Sequence, residues 1–168
     1  ESEADDSEAK QRIASILWRV VGVALRGERR PTEAITPLRN SIDAAERVGD
    51  DRLRGLGLLS LALAEAYLGQ TSRAKTTINA AVELLHGLER AEARFQRALI
   101  LQLSGELEAA LADHRAALPV FKKAGRDDWT ADLLTNRGIL HAYRGKHGQA
   151  RSDFDGARQA FLTLKDDL

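Results

Sequence analysis

Apolar residues recur along this chain three and four positions apart, in eight segments of about 15–20 residues. Short turn signals that contain Gly separate the segments, for example Gly69-Gln70-Thr71 and Gly145-Lys146-His147. The period-two alternation and the β-branched enrichment that are typical of strands are missing from the sequence. The pattern therefore predicts an all-α chain of eight helices.

The eight predicted helices form four pairs, because the same residue types return at the same steps. A small residue lies midway along the first helix of each pair, at Gly22, Ala62, Ala98 and Gly138, with spacings of 40, 36 and 40 residues. Twelve residues later an Ala opens the second helix, and a large side chain follows four positions on: Leu38, Ile78, His114 and Phe154. We call the midway residue the small residue of its unit and count other positions from it.

This repeat pattern predicts an α-solenoid of four helix–turn–helix units. Small residues allow two antiparallel helices to approach closely, and each pair leaves an apolar face that must stack on a neighbour. The expected units are residues 8–49, 50–87, 88–125 and 126–165, in a repeat domain that covers 8–168. The acidic residues 1–7 are expected to form a disordered tail.

The pattern resembles the tetratricopeptide repeat over roughly residues 8–165, most clearly at Asn136-Arg137-Gly138, Gly145, Ala150 and Phe154. The units depart from the family's usual repeat of about 34 residues, since they are longer, and the first unit carries Pro37 inside its second helix. The resemblance implies that the first helices line a concave surface. It also implies a non-enzymatic scaffold that binds a protein or peptide.

A finer resemblance concerns residues 109–119 and 136–145. These stretches look like the repeats that precede the caspase-like CHAT domain in actinobacterial proteins, and they are also similar to the sensor repeats of bacterial signalling ATPases and antibiotic-regulator transcription factors. The implied alternative function is a regulatory segment of a larger signalling or peptidase protein with a C-terminal effector domain. The His/Cys pair of such a peptidase has no counterpart here, since the chain has no Cys.

Composition removes several classes of function. The 25 Lys+Arg are balanced by 25 Asp+Glu, so the usual electrostatic argument for nucleic-acid binding is missing. No long uncharged apolar run predicts a membrane span, and no basic segment precedes an apolar one as in a signal peptide, so a cytoplasmic location is expected. The chain also lacks Met, which indicates a processed chain or a piece of a longer one.

No catalytic or cofactor motif is present, so the sequence predicts no enzymatic activity, no cofactor and no metal. P-loop, GxSxG, GxGxxG and HExxH patterns are all missing. His114 and His141 are expected near each other across a unit interface, with Asp113 or Asp153 as a third ligand of a metal site. Their spacing matches no metal motif, which favours half-buried structural histidines.

The predicted partner-binding surface lies on the concave side that the family resemblance implies. Counting from the small residues places these side chains there: Arg19, Leu59, Leu63, Phe95, Leu99 and Ile139. The family's chaperone-binding members hold a terminal carboxylate with Lys, Asn and Arg, and this lining has no Lys, so such a clamp is disfavoured. The alternative is that the apolar side chains belong to the core.

Two Arg/Asp combinations occur together in the last two units. Arg97 and Arg137 directly precede the small residues, and Asp113 and Asp153 follow sixteen positions later. The first two units have neither member. Joint occurrence favours two partly buried ion pairs over a row of Arg side chains that recognises an acidic ligand.

The last predicted helix, about residues 148–165, carries Phe154, Phe161 and Leu162 toward the end of the array. Repeat arrays need a polar closing surface. The sequence therefore predicts that this face packs on another copy, on a further domain or on further residues. Oligomerisation through the terminal helix is one form of this hypothesis.

Overall fold

The computed structural model describes the backbone of residues 2–166 and the side chains of residues 4–164, and this range contains eight α-helices and no strand. The helices are α1 (Ser2–Gly27), α2 (Pro31–Arg47), α3 (Asp51–Tyr67), α4 (Thr71–Leu84), α5 (Gly87–Leu103), α6 (Leu107–Lys123), α7 (Asp127–Tyr143) and α8 (His147–Asp166). The predicted all-α solenoid of four helix pairs is confirmed. Each expected unit holds one pair, although α5 begins at Gly87, the last residue of the expected second unit.

The amino-terminal segment differs from its prediction. Helix α1 begins at Ser2, so the expected disordered tail is wrong for residues 2–7, and residue 1 lies outside the described range. Acidic side chains near a helix start interact favourably with the helix dipole. Two ion pairs four residues apart, Asp6 with Lys10 and Glu8 with Arg12, support the same first turns.

The turns inside the pairs end the first helices in the left-handed conformation. Gly69, Gly105 and Gly145 have φ angles of 71°, 75° and 68°, which Gly adopts without strain. Arg29 takes the same place in the first unit with φ 61°. The first unit therefore has the same turn as the others, although its sequence lacks the Gly.

The helices of a pair cross where the sequence predicts. A Cβ on Gly138 would lie 2.8 Å from Cε1 of Phe154, and one on Gly22 would lie 2.5 Å from Cγ of Leu38. These distances are too short for a real Cβ, so the small residue of α1 and of α7 is what allows the close approach. The large residue of the second helix fills the space beside it.

Successive units stack into a curved array. Helix α1 contacts α3, and α3 contacts α5, more extensively than any two successive second helices touch within the described residues. Helices α1, α3 and α5 therefore lie on the inner side of the curve, and the second helices of their units lie on the outer side. Among the described residues, no helix combines the length and apolar character needed to cross a membrane.

Candidate functional site

An open groove of about 420 Å³ lies on the inner side of the array, between the carboxyl-terminal halves of α1, α3 and α5. Its lining is mostly apolar and consists of Arg26, Leu63, Ala66, Tyr67, Gln96, Leu99, Ile100 and Leu103. Leu63 and Leu99 are two of the side chains predicted for the partner-binding surface. They occupy the position directly after the small residue in their units.

The most exposed apolar side chains of the inner side were not predicted from the sequence. Tyr67, Leu103 and Tyr143 are 69%, 67% and 83% exposed at the ends of α3, α5 and α7. Each lies five residues after the small residue of its unit, and Gly27 holds that position in the first unit. The signal was therefore present in the repeat register, since three of four units carry a large apolar residue there.

The prediction that Phe95 lines the concave surface is wrong, because its side chain belongs to the core and does not line the groove. Its side chain is 4% exposed and packs edge-on against Trp129 and Phe121, with ring centroids 5.5 and 6.5 Å away. At 3.6 residues per turn, the position three before the small residue points between the groove and the second helix. The large ring turns toward the second helix, where α6 and α7 cover it.

The other residues predicted to line the concave surface, Leu59, Ile139 and Arg19, lie in three different environments. Leu59 is half-buried and packs against the core between the second and third units. Ile139 is 39% exposed and lines a separate pocket of about 280 Å³ with Ala142, Tyr143 and Phe154. Arg19 is half-buried, and its Nε has no hydrogen-bond acceptor among the described residues. The structure thus brings Leu63 and Leu99 together, while Ile139 lies in the neighbouring pocket.

Arg97 and Arg137 each form a two-pronged ion pair with the Asp on the second helix of the same unit. Arg97 donates from Nε and Nη2 to Asp113 over 2.6 and 2.7 Å, and Arg137 donates to Asp153 over 2.9 and 2.5 Å. Both carboxylates are buried, and Asp113 raises the pKa of Arg97. These Arg side chains point at the partner helix and leave the groove free of cations from α5 and α7.

A polar cavity of about 410 Å³ lies on the outer side, between α6 and α8 and above α7. Four of its lining residues are cationic: Arg115, Arg137, Arg144 and Lys146. Asp153 neutralises Arg137, and Glu108 forms an ion pair with Arg144. Sequence inspection did not find this cavity, because its lining comes from three helices and a turn that are separated along the chain.

The pKa values of His114 and His141 are both lowered, which favours the neutral form. Burial, together with the charge of nearby Arg137, lowers the pKa of His114 to about 4, and Asp153 acts in the opposite direction. Burial also lowers the pKa of His141, whose Nε2 lies 3.8 Å from Asp153. Within the described part of the chain, no three His, Asp or Glu side chains lie close enough to hold a metal ion.

The buried His114 predicts a loss of stability in mild acid. An unfolded His binds a proton near pH 6.5, whereas folded His114 does so only near pH 4. The unfolded state therefore binds more protons between these values, and the free energy of unfolding falls as the pH drops, by about 3 kcal/mol at pH 4.

Urea unfolding across this pH range measures the loss. His114→Leu, which introduces the residue type of Leu38 at the same position of the first unit, should weaken the pH dependence, with the share of His141 remaining. Equal pH dependence in both proteins would contradict the assignment to His114.

Comparison with known families finds a match in the second half of the chain. Residues 89–161 match the family model described as tetratricopeptide repeat. These residues are similar to tetratricopeptide repeats. They comprise nearly all of the third and fourth units, where the small residue, the turn Gly and the large residue all fall in register.

Solved structures share the architecture of these repeats over most of the chain. The crystal structure of BtubC from P. vanneervenii superposes with a TM-score of 0.79 at 15% identity, over 90% of this chain and 64% of that one. MamA superposes with a TM-score of 0.70 at 16% identity, over 90% of this chain and 81% of that one. The chain thus spans under two thirds of BtubC, and at these identities the likeness shows the fold alone.

A search of curated protein sequences gives no significant match. Tetratricopeptide repeats generally mediate contacts between proteins, and the repeats of this chain share that architecture.

Proposed function

We propose that this chain is a non-enzymatic interaction module whose inner groove binds the apolar face of a helix or peptide. The observation that carries the proposal is a row of exposed apolar side chains at equivalent positions: Tyr67 and Leu103 line the groove, and Tyr143 continues the row in the neighbouring pocket. Leu63 and Leu99 form the floor beside this row. Exposed apolar side chains gathered in one concave surface are typical of a binding site.

The lining indicates the chemistry of the ligand. Most groove atoms are apolar, and Arg26 supplies the one cation of the lining at the α1 end. An amphipathic helix with aliphatic anchors three and four residues apart suits such a groove, and an acidic side chain beside them suits Arg26. Two or three anchors at about 1.5–3 kcal/mol each give micromolar affinity after ordering costs.

Leu103→Glu should abolish this binding without changing the fold. The side chain is 67% exposed, so a charge there costs little in the free protein, whereas a bound apolar ligand would bury it unpaired. A displayed library of amphipathic helical peptides, selected on the wild-type protein, supplies the probe. Titration calorimetry with a selected peptide measures the affinity.

Leu162→Glu is the matched control, because it makes the same change at a half-exposed apolar residue of α8, away from the groove. The control should bind the selected peptide as the wild type does. Equal affinity of the peptide for Leu103→Glu and wild type would exclude the groove as the binding site.

A regulatory segment of a larger signalling or caspase-like peptidase protein is the alternative. The sequence resemblance of residues 109–119 and 136–145 supports it, and so do the exposed Phe161 and Leu162 of α8, which offer a surface to a neighbouring domain. The flanking gene sequence tests this alternative. A reading frame that continues into a domain with a His/Cys pair would favour it over an independent module.

A further inference from the structure

Helix α1 carries an apolar stripe on the side that faces away from the rest of the array. Ile13, Leu17 and Val20 are 57%, 59% and 55% exposed, and their spacing of four and three residues places them on one side of the helix. Val21 extends the stripe and is 43% exposed. We call these four residues the open face of α1.

The position of Leu17, at the centre of this face, is buried in every later unit. Leu17 corresponds to Gly57, Ala93 and Leu133 by the repeat spacing, and all three are buried, the last two completely. In those units the position packs against the second helix of the preceding unit: Gly57 lies against Ile42 of α2, and Leu133 packs with Phe121 of α6. The open face of α1 thus includes an inter-repeat position that no other helix among residues 2–166 covers.

The opposite end of the array exposes the other half of such a junction. Phe161 of α8 corresponds to Ala45, Leu85 and Phe121, which are 0%, 1% and 0% exposed, yet Phe161 itself is 49% exposed. Phe154 is 41% exposed, although its counterparts Leu38, Ile78 and His114 are completely buried. We call Phe154 and Phe161 the open face of α8.

We propose that a second copy of this chain stacks end to end on the first, with the open face of α8 on the open face of α1. The second and third junctions inside the chain are the argument for this occupant, because each places the counterparts of Phe161 and Leu17 in one core cluster: Leu85 with Ala93, and Phe121 with Leu133. Phe161 of one copy would contact Leu17 of the next as Phe121 contacts Leu133 within the chain. The contact joins two different surfaces, so it leaves a free face at each end and allows further copies to add.

The new junction is weaker than the internal ones. Arg158 of α8 corresponds to Ile42, Val82 and Leu118, and its guanidinium must stay in water while its stem covers apolar surface. We therefore expect reversible assembly, with a distribution of sizes that shifts with protein concentration. The groove around Leu103 takes no part in it.

Sedimentation velocity over a concentration series tests the proposal with two variants, Leu17→Glu and Phe161→Glu. Each charge lies on a surface exposed in the single copy, so circular dichroism should show an intact fold. Each variant alone should have a dissociation constant for self-association at least about tenfold higher than the wild type, because the junction buries an unpaired carboxylate.

Mixing the two variants separates end-to-end stacking from other arrangements. Each variant retains one intact face, so the mixture should form one-to-one pairs that grow no further. The wild type should form longer assemblies, and Leu103→Glu should assemble as the wild type does.

Three outcomes would overturn the proposal. The first is that the wild type stays monomeric at all concentrations. The second is that Phe161→Glu abolishes assembly while Leu17→Glu leaves it intact. The third is that the mixture of the two variants forms no pairs. The second outcome would indicate a symmetric contact between two copies of α8.

Discussion

Phe95→Glu should unfold the second half of the array. The side chain is 4% exposed in a cluster with His114, Phe121 and Trp129, whose rings lie 5.5 to 6.5 Å from it. Removing a buried Phe side chain alone costs about 3–5 kcal/mol, and a buried carboxylate without a partner adds to that cost. The sum is comparable to the whole stability of many domains, which is about 5–15 kcal/mol.

Urea unfolding followed by circular dichroism and by tryptophan fluorescence measures this effect. Trp129 lies in the cluster, so its emission reports on the junction between the third and fourth units. Leu103→Glu, eight residues later on the same helix, is the control and should unfold at the wild-type urea concentration. A folded Phe95→Glu with lost peptide binding would restore Phe95 to the groove.

The difference between Phe95 and Leu99 marks the limit of what the repeat spacing predicts. Both are apolar and four residues apart on α5, so the sequence places them on the same side of the helix. Side-chain size then separates them, because the ring of Phe95 is buried among side chains of α6 and α7, whereas the half-buried Leu99 packs beside that cluster and also lines the groove. The repeat spacing alone cannot show which of two side chains on the same side of a helix points toward the core.

The pairing of helices was more predictable, since it depends on close approach at the small residues. Gly22 and Gly138 lie against Leu38 and Phe154, as the fixed steps between them indicate.

The open face of α1 was not predicted, although Ile13, Leu17 and Val20 show helical spacing. Spacing alone does not tell which apolar side meets a neighbour, and only the structure shows that this side is left exposed by the other described helices.

The ion pairs follow from comparing units with one another. Arg and Asp replace Leu61 and Thr77 of the second unit together, and the structure places Arg137 against Asp153. The surroundings of the pair could not be predicted in this way. In the second unit the buried Glu65 accepts a hydrogen bond from Thr77 over 2.8 Å, and in the fourth His141 takes the position of Glu65. The buried polar residues of the second and fourth units thus differ at several positions together.

Arg137→Leu should lower the free energy of unfolding by about 3 kcal/mol. The change leaves Asp153, which is 6% exposed, without the two hydrogen bonds that Arg137 donates. Breaking one side of a buried ion pair costs more than removing both, because the remaining charge keeps its desolvation penalty. Urea unfolding at neutral pH measures the loss.

The double variant Arg137→Leu/Asp153→Thr is the matched control, because it installs the Leu61 and Thr77 combination that the second unit already folds with. We expect it to recover all but about 1 kcal/mol, since no unpaired carboxylate remains and the Leu/Thr pair fills similar volume. If the double variant is as unstable as the single one, the loss comes from packing at Arg137 and the pair contributes little. Neither variant should change peptide binding, since both side chains point away from the groove; a loss of binding in the folded double variant would favour a ligand-recognising Arg137.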